Sequence, residues 1–356
     1  MTTADRIETP PRRLYPAPVL TSPDIDLLIT DTEDEILRVI ERVQDERTHA
    51  LYEMVRYHLG LDHDGPRGKR IRPLLGLLAY ESLTGEHSPA LPGAAAVELG
   101  HNFSLVHDDI EDRDIERHHR PTLWMVFGQA QAINTGDTLF TLSRLALYRL
   151  RELGFSETKV LDLMRLYDET CLALCEGQFM DIWSAEHDDR LSVDFYFDMI
   201  GRKTAALIAA SVQAGAMLAT DDINVIEAYR GFGWSLGIAF QLNDDLLGIW
   251  GDEQTTGKEP SDLAKHKKTL PVIYALERAT AADAARLREI LATPDAPPGA
   301  IAEARAIIER SGGREYTRSR ARDERDEALR RIESTGVVSG EALERLRLIV
   351  VSAISA

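Results

Sequence analysis

Apolar residues recur at helical spacing through almost the whole chain, and this feature constrains the fold more than any other. Residues 31–60 carry apolar side chains at every third or fourth position. The same spacing returns in seven later segments: 70–83, 91–112, 122–150, 156–187, 192–218, 221–250 and 268–278. Alternating runs of β-branched residues are missing, and the breaks between segments are rich in glycine and proline. The pattern predicts an all-α protein, a single large helical bundle.

The two ends of the chain differ from its middle. Four prolines among the first eighteen residues predict an extended or disordered N-terminal arm over residues 1–24. The folded domain is then expected to span residues 25–356. Within it, residues 280–340 are rich in Arg, Glu and Ala, which predicts solvated surface helices.

Charge and composition exclude several classes of protein. The 356 residues include 59 acidic and 41 basic side chains, a net charge of −18, which argues against nucleic acid as a partner. No stretch is apolar enough for a signal peptide or an integral membrane segment. The only two cysteines, Cys171 and Cys175, fit a reducing compartment, so a cytoplasmic protein is expected.

Two acidic clusters lie inside otherwise apolar helical segments. Asp108 and Asp112 are four positions apart, so both carboxylates project from one helix face. Asp244 and Asp245 follow about 135 residues later, between apolar side chains. Such charges are costly to bury unless a cation balances them, and carboxylates without a His/Cys set favour Mg²⁺ or Mn²⁺ over zinc. Either cluster alone is also compatible with a solvated helix face, but two of them predict metal ions held across a bundle.

Basic residues complement these clusters. The members of this set are Lys69, Arg70, Arg72, Lys203, Lys258, Lys267 and Lys268. Each residue taken singly is compatible with an ordinary surface charge. Together, in so acidic a chain, they favour a ligand rich in phosphate oxygens, with the metals bridging it to the carboxylates.

These motifs resemble those of the trans-isoprenyl diphosphate synthases, the head-to-tail, chain-elongating prenyltransferases. The resemblance rests on GKRIRP, HDDIED, FQLNDD, TGK and KKTLP in that order, and it extends over residues 35–350. It implies an all-α bundle around a deep central cavity, usually a homodimer. It also implies Mg²⁺ as cofactor, with isopentenyl diphosphate and an allylic diphosphate (dimethylallyl, geranyl or farnesyl) as substrates.

The resemblance also implies roles for individual residues. The metal ligands are expected to be Asp108, Asp112 and Asp244. The expected isopentenyl diphosphate-binding residues are Lys69, Arg72, His101 and His118. The expected allylic diphosphate-binding residues are Arg117, Lys203, Thr204, Gln241, Lys258 and Lys267. The expected supporting residues are Asp109, Asp245, Gln178 and Asp181.

Three positions depart from the family pattern. His118 stands where the second of two paired arginines is usual, so either Arg120 substitutes through a shifted loop or that contact is weaker. Gly248 replaces the last aspartate of the second motif, which reduces the support around Asp244. Arg67 replaces the first glycine of the GGKR string.

Product length is expected to depend on the helix that carries Asp108. Phe103 lies about 7.5 Å below Asp108 along that helix, and the small Ser104 lies beside it. By resemblance, this pattern is similar to that of synthases making geranylgeranyl diphosphate. If Phe103 is only a core aromatic, farnesyl diphosphate or longer products remain open.

Two other functions compete with this interpretation. A class I terpene cyclase shares the bundle, but its second metal site usually has an Asn/Ser/Glu pattern and it has no second diphosphate-binding set. A non-catalytic regulatory subunit tends to lose the first aspartate motif. The sequence NDDLLG and the retained HDDIED motif argue against both.

Overall fold

A computed structural model describes residues 23–62, 68–186, 191–251, 261–334 and 340–352. Within these ranges it contains fifteen α-helices, numbered α1 to α15 in chain order. Their bounds are Pro23–Glu41, His49–Leu59, Ile71–Thr84, Leu91–Glu111, Leu123–Phe127, Gln129–Glu152, Glu157–Glu186, Val193–Ile200, Ala206–Ala219, Ile223–Trp250, Leu270–Arg278, Ala281–Leu291, Pro298–Arg310, Gly313–Glu333 and Glu341–Ser352. The predicted all-α helical bundle is therefore confirmed.

The centre of the bundle is built from helices with little polar surface. Eight consecutive residues of α3, from Pro73 to Tyr80, are buried, as are the six residues 207–212 of α9. A helix that is apolar all round must be covered on every side. Helix α3 accordingly packs on α9, α9 packs on α10, and α4 packs along α6. Helices α4 and α10, which carry the two acidic clusters near their carboxyl ends, therefore border the buried helices α3 and α9.

A short hairpin follows α4. Strand β1 (Glu116–Arg117) pairs antiparallel with β2 (Arg120–Pro121) through the two-residue loop His118–His119. Both loop residues have positive φ, 51° and 61°, as a type I′ turn requires. Asn-Gly is the usual sequence of such a turn, so the sequence His118–His119 did not predict a hairpin.

A π-helical turn, Gly201–Ala205, joins α8 to α9. Two glycines let neighbouring helices approach it closely. A Cβ atom at Gly177 of α7 would lie 2.7 Å from Lys203 Cα, and one at Gly237 of α10 would lie 2.6 Å from Ala205 Cα. The turn that carries Lys203 and Thr204 is therefore packed tightly between α7 and α10.

Three expectations need correction. The segment 31–60 is two helices, α1 and α2, separated by residues 42–48. Helix α1 begins at Pro23, two residues before the expected domain boundary, and the rest of the predicted arm lies outside the described residues. Residues 280–340 are not only solvated surface, because α14 packs along α10. Its buried stripe consists of small residues such as Thr317 and Ala321, which the surrounding Arg and Glu side chains conceal in the composition.

Candidate active site

The first acidic cluster lies at the carboxyl end of α4. Asp108 is half-buried, and Asp112 is exposed at the C-cap, one turn further on. The pKa of Asp108 is raised to about 7, mainly by burial and also by the charges of Asp112 and Glu111, against the opposing charge of Lys203. Loss of water contacts, together with Asp181, also raises the pKa of Asp112. Among the described residues, no side-chain hydrogen bond or ion pair satisfies either carboxylate, so both are available to a cation.

The carboxylate next in sequence to Asp108 has a different role. Asp109 is 1% exposed, and its Oδ1 accepts from Arg117 Nε at 2.8 Å and pairs with Arg117 Nη2 at 2.7 Å. Arg117 belongs to strand β1. This ion pair therefore fixes the hairpin to α4, and it occupies the guanidinium expected to bind the allylic diphosphate.

The wall opposite this cluster is formed by α7 and the π-helical turn. Lys203 Nζ donates to Asp181 Oδ2, and Gln178 Nε2 donates to Glu111 Oε2 at 2.7 Å. Burial lowers the pKa of Lys203, but the nearby carboxylates of Asp181, Asp108 and Asp112 outweigh burial, so the net shift is upward. Lys203 therefore stays charged beside the first cluster.

The second acidic cluster lies on α10. Asp245 is 1% exposed and accepts hydrogen bonds from Tyr196 OH at 2.5 Å, from Gln241 Nε2 at 3.0 Å and from the backbone N–H of Leu270 at 3.2 Å. Burial raises the pKa of Asp245 to about 7, against these hydrogen bonds. Its neighbour Asp244 is exposed.

Two consecutive residues connect the clusters. Lys203 lies beside Asp108 and Asp112, while Thr204 Oγ1 donates to Gln241 Oε1 at 2.9 Å, one helical turn before Asp245. Adjacent Cα atoms are about 3.8 Å apart. The first and second clusters therefore lie on either side of this one turn, as expected for a shared ligand.

The segment after α10 also returns to the first cluster. Lys265 Nζ pairs with Asp114 Oδ1 at 3.5 Å, and the charge of Lys267 lowers the pKa of Asp112. Lys258 lies outside the described residues.

The carboxylates of the described residues do not by themselves complete a metal site. Over the residues that the structure describes, no group of three or more His, Cys, Asp or Glu side chains is arranged to hold a metal ion. An ion bound by one or two of these carboxylates needs further oxygen ligands, and Mg²⁺ characteristically takes them from water and phosphate.

A second cationic group lies near the start of α3. Arg72 Nη1 and His101 Nε2 are 2.9 Å apart, and burial together with the charges of Arg72 and Arg117 lowers the pKa of His101 well below its ordinary value. Lys69 is exposed at the start of this segment. His118 Nε2 lies 3.6 Å from the position of a Cβ atom on Gly68, so the hairpin brings His118 next to Lys69.

Two arginines with a possible ligand role have structural partners instead. Arg70 is 5% exposed and binds Glu33, Glu98 and the carbonyl of Leu59. Arg120 makes two 3.0 Å bonds to Asp62 and lies 4.0 Å above the ring of Tyr57. Arg120 is therefore held by Asp62 and Tyr57 in this structure, and its substitution for the arginine that His118 replaces stays a prediction.

Sequence reasoning missed two residues near these groups. Tyr196 is the hydroxyl donor to Asp245, and nothing in its helix α8 indicated that role. His58 has a buried Nε2 without a hydrogen-bond partner in the described structure, and burial, with Arg117 and Arg70, lowers its pKa to about 3. His58 lies ten residues before the GKRIRP segment, and nothing in the sequence around it indicated a role.

Below the first cluster, two aromatic rings meet. Phe103 packs edge-on against Phe140 of α6, with ring centroids 5.1 Å apart, and against His107 at 6.0 Å. Ser104 donates to the carbonyl of His101 at 2.8 Å and is half-buried on the same face as Asp108. The ring of Phe103 therefore packs between α4 and α6, about 7.5 Å below Asp108 along the helix.

The chain is similar to known proteins over most of its length. A family model described as Polyprenyl synthetase matches residues 49–308. The chain is 36% identical over 319 residues to the (2E,6E)-farnesyl diphosphate synthase of Mycobacterium tuberculosis, covering 87% of both proteins. It is 38% identical over 297 residues to the geranylgeranyl diphosphate synthase of the same organism, covering 82% of this chain and 83% of that protein. The crystal structure of a polyprenyl synthetase from Streptomyces coelicolor matches with a TM-score of 0.83 and 35% identity, over 93% of this chain and 98% of that one.

Proposed function

Because the chain belongs to the polyprenyl synthetase family, we propose that it condenses isopentenyl diphosphate with an allylic diphosphate and that geranylgeranyl diphosphate is its main product. The observation that carries the proposal is the pairing of two anion-binding groups. One is the Lys203–Thr204 turn between the two acidic clusters, and the other is the Arg72–His101 pair. The charge of Arg117 acts on the pKa of Asp108, which lies beside Lys203, and on the pKa of His101, so the two groups are neighbours. Two diphosphates therefore have adjacent sites.

Mg²⁺ fits the donor set of the acidic clusters, and Mn²⁺ fits it as well. Asp108 and Asp112 carry unsatisfied carboxylates with raised pKa values, and oxygen is the ligand that these ions prefer. Asp108, Asp112 and Asp244 would hold the ions, with Asp109 and Asp245 anchoring their neighbours. When bound, the ions neutralise the charge that develops on a departing diphosphate.

The chain's own cations act on the same leaving group. Lys203 and Lys267 lie beside the acidic clusters, and Lys258 and Arg117 are assigned to the same set by resemblance. Positive charge already in position costs no reorganisation during the reaction. Departure of the diphosphate leaves an allylic cation, near which Thr204 and Gln241 supply oxygen dipoles.

The acceptor substrate is assigned to the second cationic group. Lys69, Arg72, His101 and His118 would bind isopentenyl diphosphate and hold its double bond towards the allylic cation. Attack forms the new carbon–carbon bond, and loss of one proton restores neutrality, with the released diphosphate as proton acceptor. Alignment of two bound reactants contributes about 7–11 kcal/mol in favourable cases.

Product length depends on what lies beneath the first cluster. Phe103 with Phe140 forms one aromatic level, about 7.5 Å below Asp108. The next level is about 12 Å below, at Gly100, where a Cβ atom would lie 2.7 Å from Tyr167 Cζ. Tyr167 crosses from α7 and donates to Ser143 Oγ at 2.7 Å. Two successive aromatic levels support a product of intermediate length.

A homodimer belongs to the same proposal. The neighbouring helices α6 and α7 expose large apolar side chains: Tyr148 is 54% exposed, Leu161 64%, Leu172 61% and Phe179 65%. Large apolar side chains exposed on neighbouring helices are typical of an interface, and a second copy is the proposed occupant. Size-exclusion chromatography with light scattering should give about twice the chain mass, and Leu172→Glu should reduce it.

The cytoplasmic location expected from the sequence stays a prediction. In the described structure no helix is both long and apolar enough to cross a membrane.

The test of the activity uses farnesyl diphosphate and Mg²⁺, with and without isopentenyl diphosphate. Elongation only when both diphosphates are present supports the proposed synthase. Hydrocarbon from the allylic substrate alone would indicate a class I terpene cyclase, and no turnover in either mixture would indicate a non-catalytic subunit. Dimethylallyl and geranyl starters then define the preferred allylic substrate.

A further inference from the structure

The two acidic clusters differ at one helical position. In the first, Asp112 follows Asp108 by one turn. In the second, Gly248 follows Asp244 by one turn and therefore lies on the same face of α10. The second cluster thus lacks a side-chain carboxylate at the position that completes the first.

A carboxylate from a later part of the chain fills this position. Asp262 Oδ2 lies in the space that a Cβ atom on Gly248 would occupy, and Asp262 Oδ1 is 3.1 Å from that point. The backbone N–H of Asp262 donates to the carbonyl of Gly248 at 3.2 Å, and the Asp262 carbonyl accepts from the N–H of Lys267 at 2.9 Å. Glycine at 248 is therefore the residue that admits the Asp262 carboxylate.

We propose that Asp262 supplies the carboxylate missing at Gly248 and acts as a positioning residue for the divalent ion at Asp244. The proposal rests on the proposed function, because it needs an ion at the second cluster. Mg²⁺ retains several water ligands in protein sites, and a half-buried carboxylate one turn from Asp244 is suited to accept hydrogen bonds from them. The backbone bonds to Gly248 and Lys267 fix the segment that carries this carboxylate against α10.

The test measures Mn²⁺ bound to the full chain by electron paramagnetic resonance, with inorganic pyrophosphate present. Asp262→Ala should weaken Mn²⁺ binding about tenfold or more. Adding Gly248→Asp to that variant should recover most of the affinity, because the carboxylate then comes from the helix itself. Adding Gly248→Ala instead is the matched control and should recover none. Unchanged affinity in Asp262→Ala, or equal affinity in the two double variants, would overturn the proposal.

Two further measurements separate this inference from the proposed function. If Asp244→Ala retains full Mn²⁺ binding, the second cluster holds no ion, and both proposals fail there. If Asp244→Ala loses binding while Asp262→Ala keeps it, only the inference fails. Thermal unfolding checks the geometry: Gly248→Ala should lower the melting temperature of the wild type more than that of Asp262→Ala. An equal loss of melting temperature in the two backgrounds would show that a Cβ atom at position 248 and the Asp262 carboxylate do not compete for the same space.

Discussion

The two acidic clusters have the same local pattern, but they are anchored in different ways. In each pair the second aspartate, Asp109 or Asp245, is 1% exposed and the first faces outward. Asp109 is held by the guanidinium of Arg117 on the surface hairpin, whereas Asp245 is held by a phenol, an amide and a backbone N–H. The first cluster is therefore coupled to the hairpin that carries His118, and the second is fixed in the core.

By this comparison, the outward aspartates Asp108 and Asp244 serve the reaction, and the inward aspartates Asp109 and Asp245 stabilise the structure. Asp245 is committed through three hydrogen bonds, and Asp109 is committed through Oδ1 to Arg117, although its buried Oδ2 has no partner in the described structure. Substitutions at the two kinds of position should therefore affect different measurements.

The largest expected effect is on activity at the first cluster. Asp108→Ala should lower kcat by about 1000-fold or more with Mg²⁺, because a charge-stabilising ion loses its ligand. The helix should remain folded, since Asp108 makes no side-chain hydrogen bond in the described structure. Glu111→Gln on the same turn is the matched control, because it can still accept from Gln178. Retained turnover in Asp108→Ala would contradict the outward assignment.

The next effect is on stability at the second cluster. Asp245→Ala should lower the free energy of unfolding by about 2–4 kcal/mol, because Tyr196, Gln241 and Leu270 N–H all lose their acceptor. Urea denaturation monitored by circular dichroism measures the loss. Asp244→Ala serves as the control and should cost little, since its side chain is exposed. Equal losses at both positions would break the distinction between inward and outward residues.

A smaller effect concerns pH and the first cluster without metal. The folded pKa of Asp108, about 7, lies above its ordinary value of 3.8, so the folded state binds this proton more tightly than the unfolded state. The free energy of unfolding therefore falls as pH rises from about 4 to about 7. Asp108→Asn in EDTA should raise the melting temperature by a few degrees at pH 8 and leave it unchanged near pH 3. A pH-independent difference would contradict this cause.

The smallest change is in product distribution. Phe103→Ala should shift the product to longer chains, because it removes a ring from the upper aromatic level and leaves Tyr167 below it. Tyr167→Phe keeps its ring and loses only the bond to Ser143, so it is expected to leave product length unchanged. Chromatography of the dephosphorylated products measures both variants. An unchanged distribution in Phe103→Ala would mean that its ring serves only the packing of α4 on α6.

The sequence was informative where helical spacing and short motifs determine the structure. The apolar spacing predicted the long helices, and the placement of Asp108 and Asp112 on one face followed from it. Long-range partners were not predictable, because spacing does not report what packs against a side chain. Arg70 resembled its neighbours Lys69 and Arg72 in sequence, yet its burial beside Glu33 and Glu98 gives it a structural role. The position of Asp262 was not predictable either, because its contact with Gly248 depends on how the chain folds back onto α10 after that helix ends.

The π-helical turn at Gly201–Ala205 contains one residue more than a regular α-helical turn would need. Deleting a single residue there would let the segment close into a regular α-helical turn, which changes the directions in which the residues of the widened turn project. Lys203 and Thr204 would then no longer reach Asp181 on one side and Gln241 on the other, although every other amino acid of the chain would be retained. The placement of these two side chains therefore depends on the number of residues in the turn as well as on their identity.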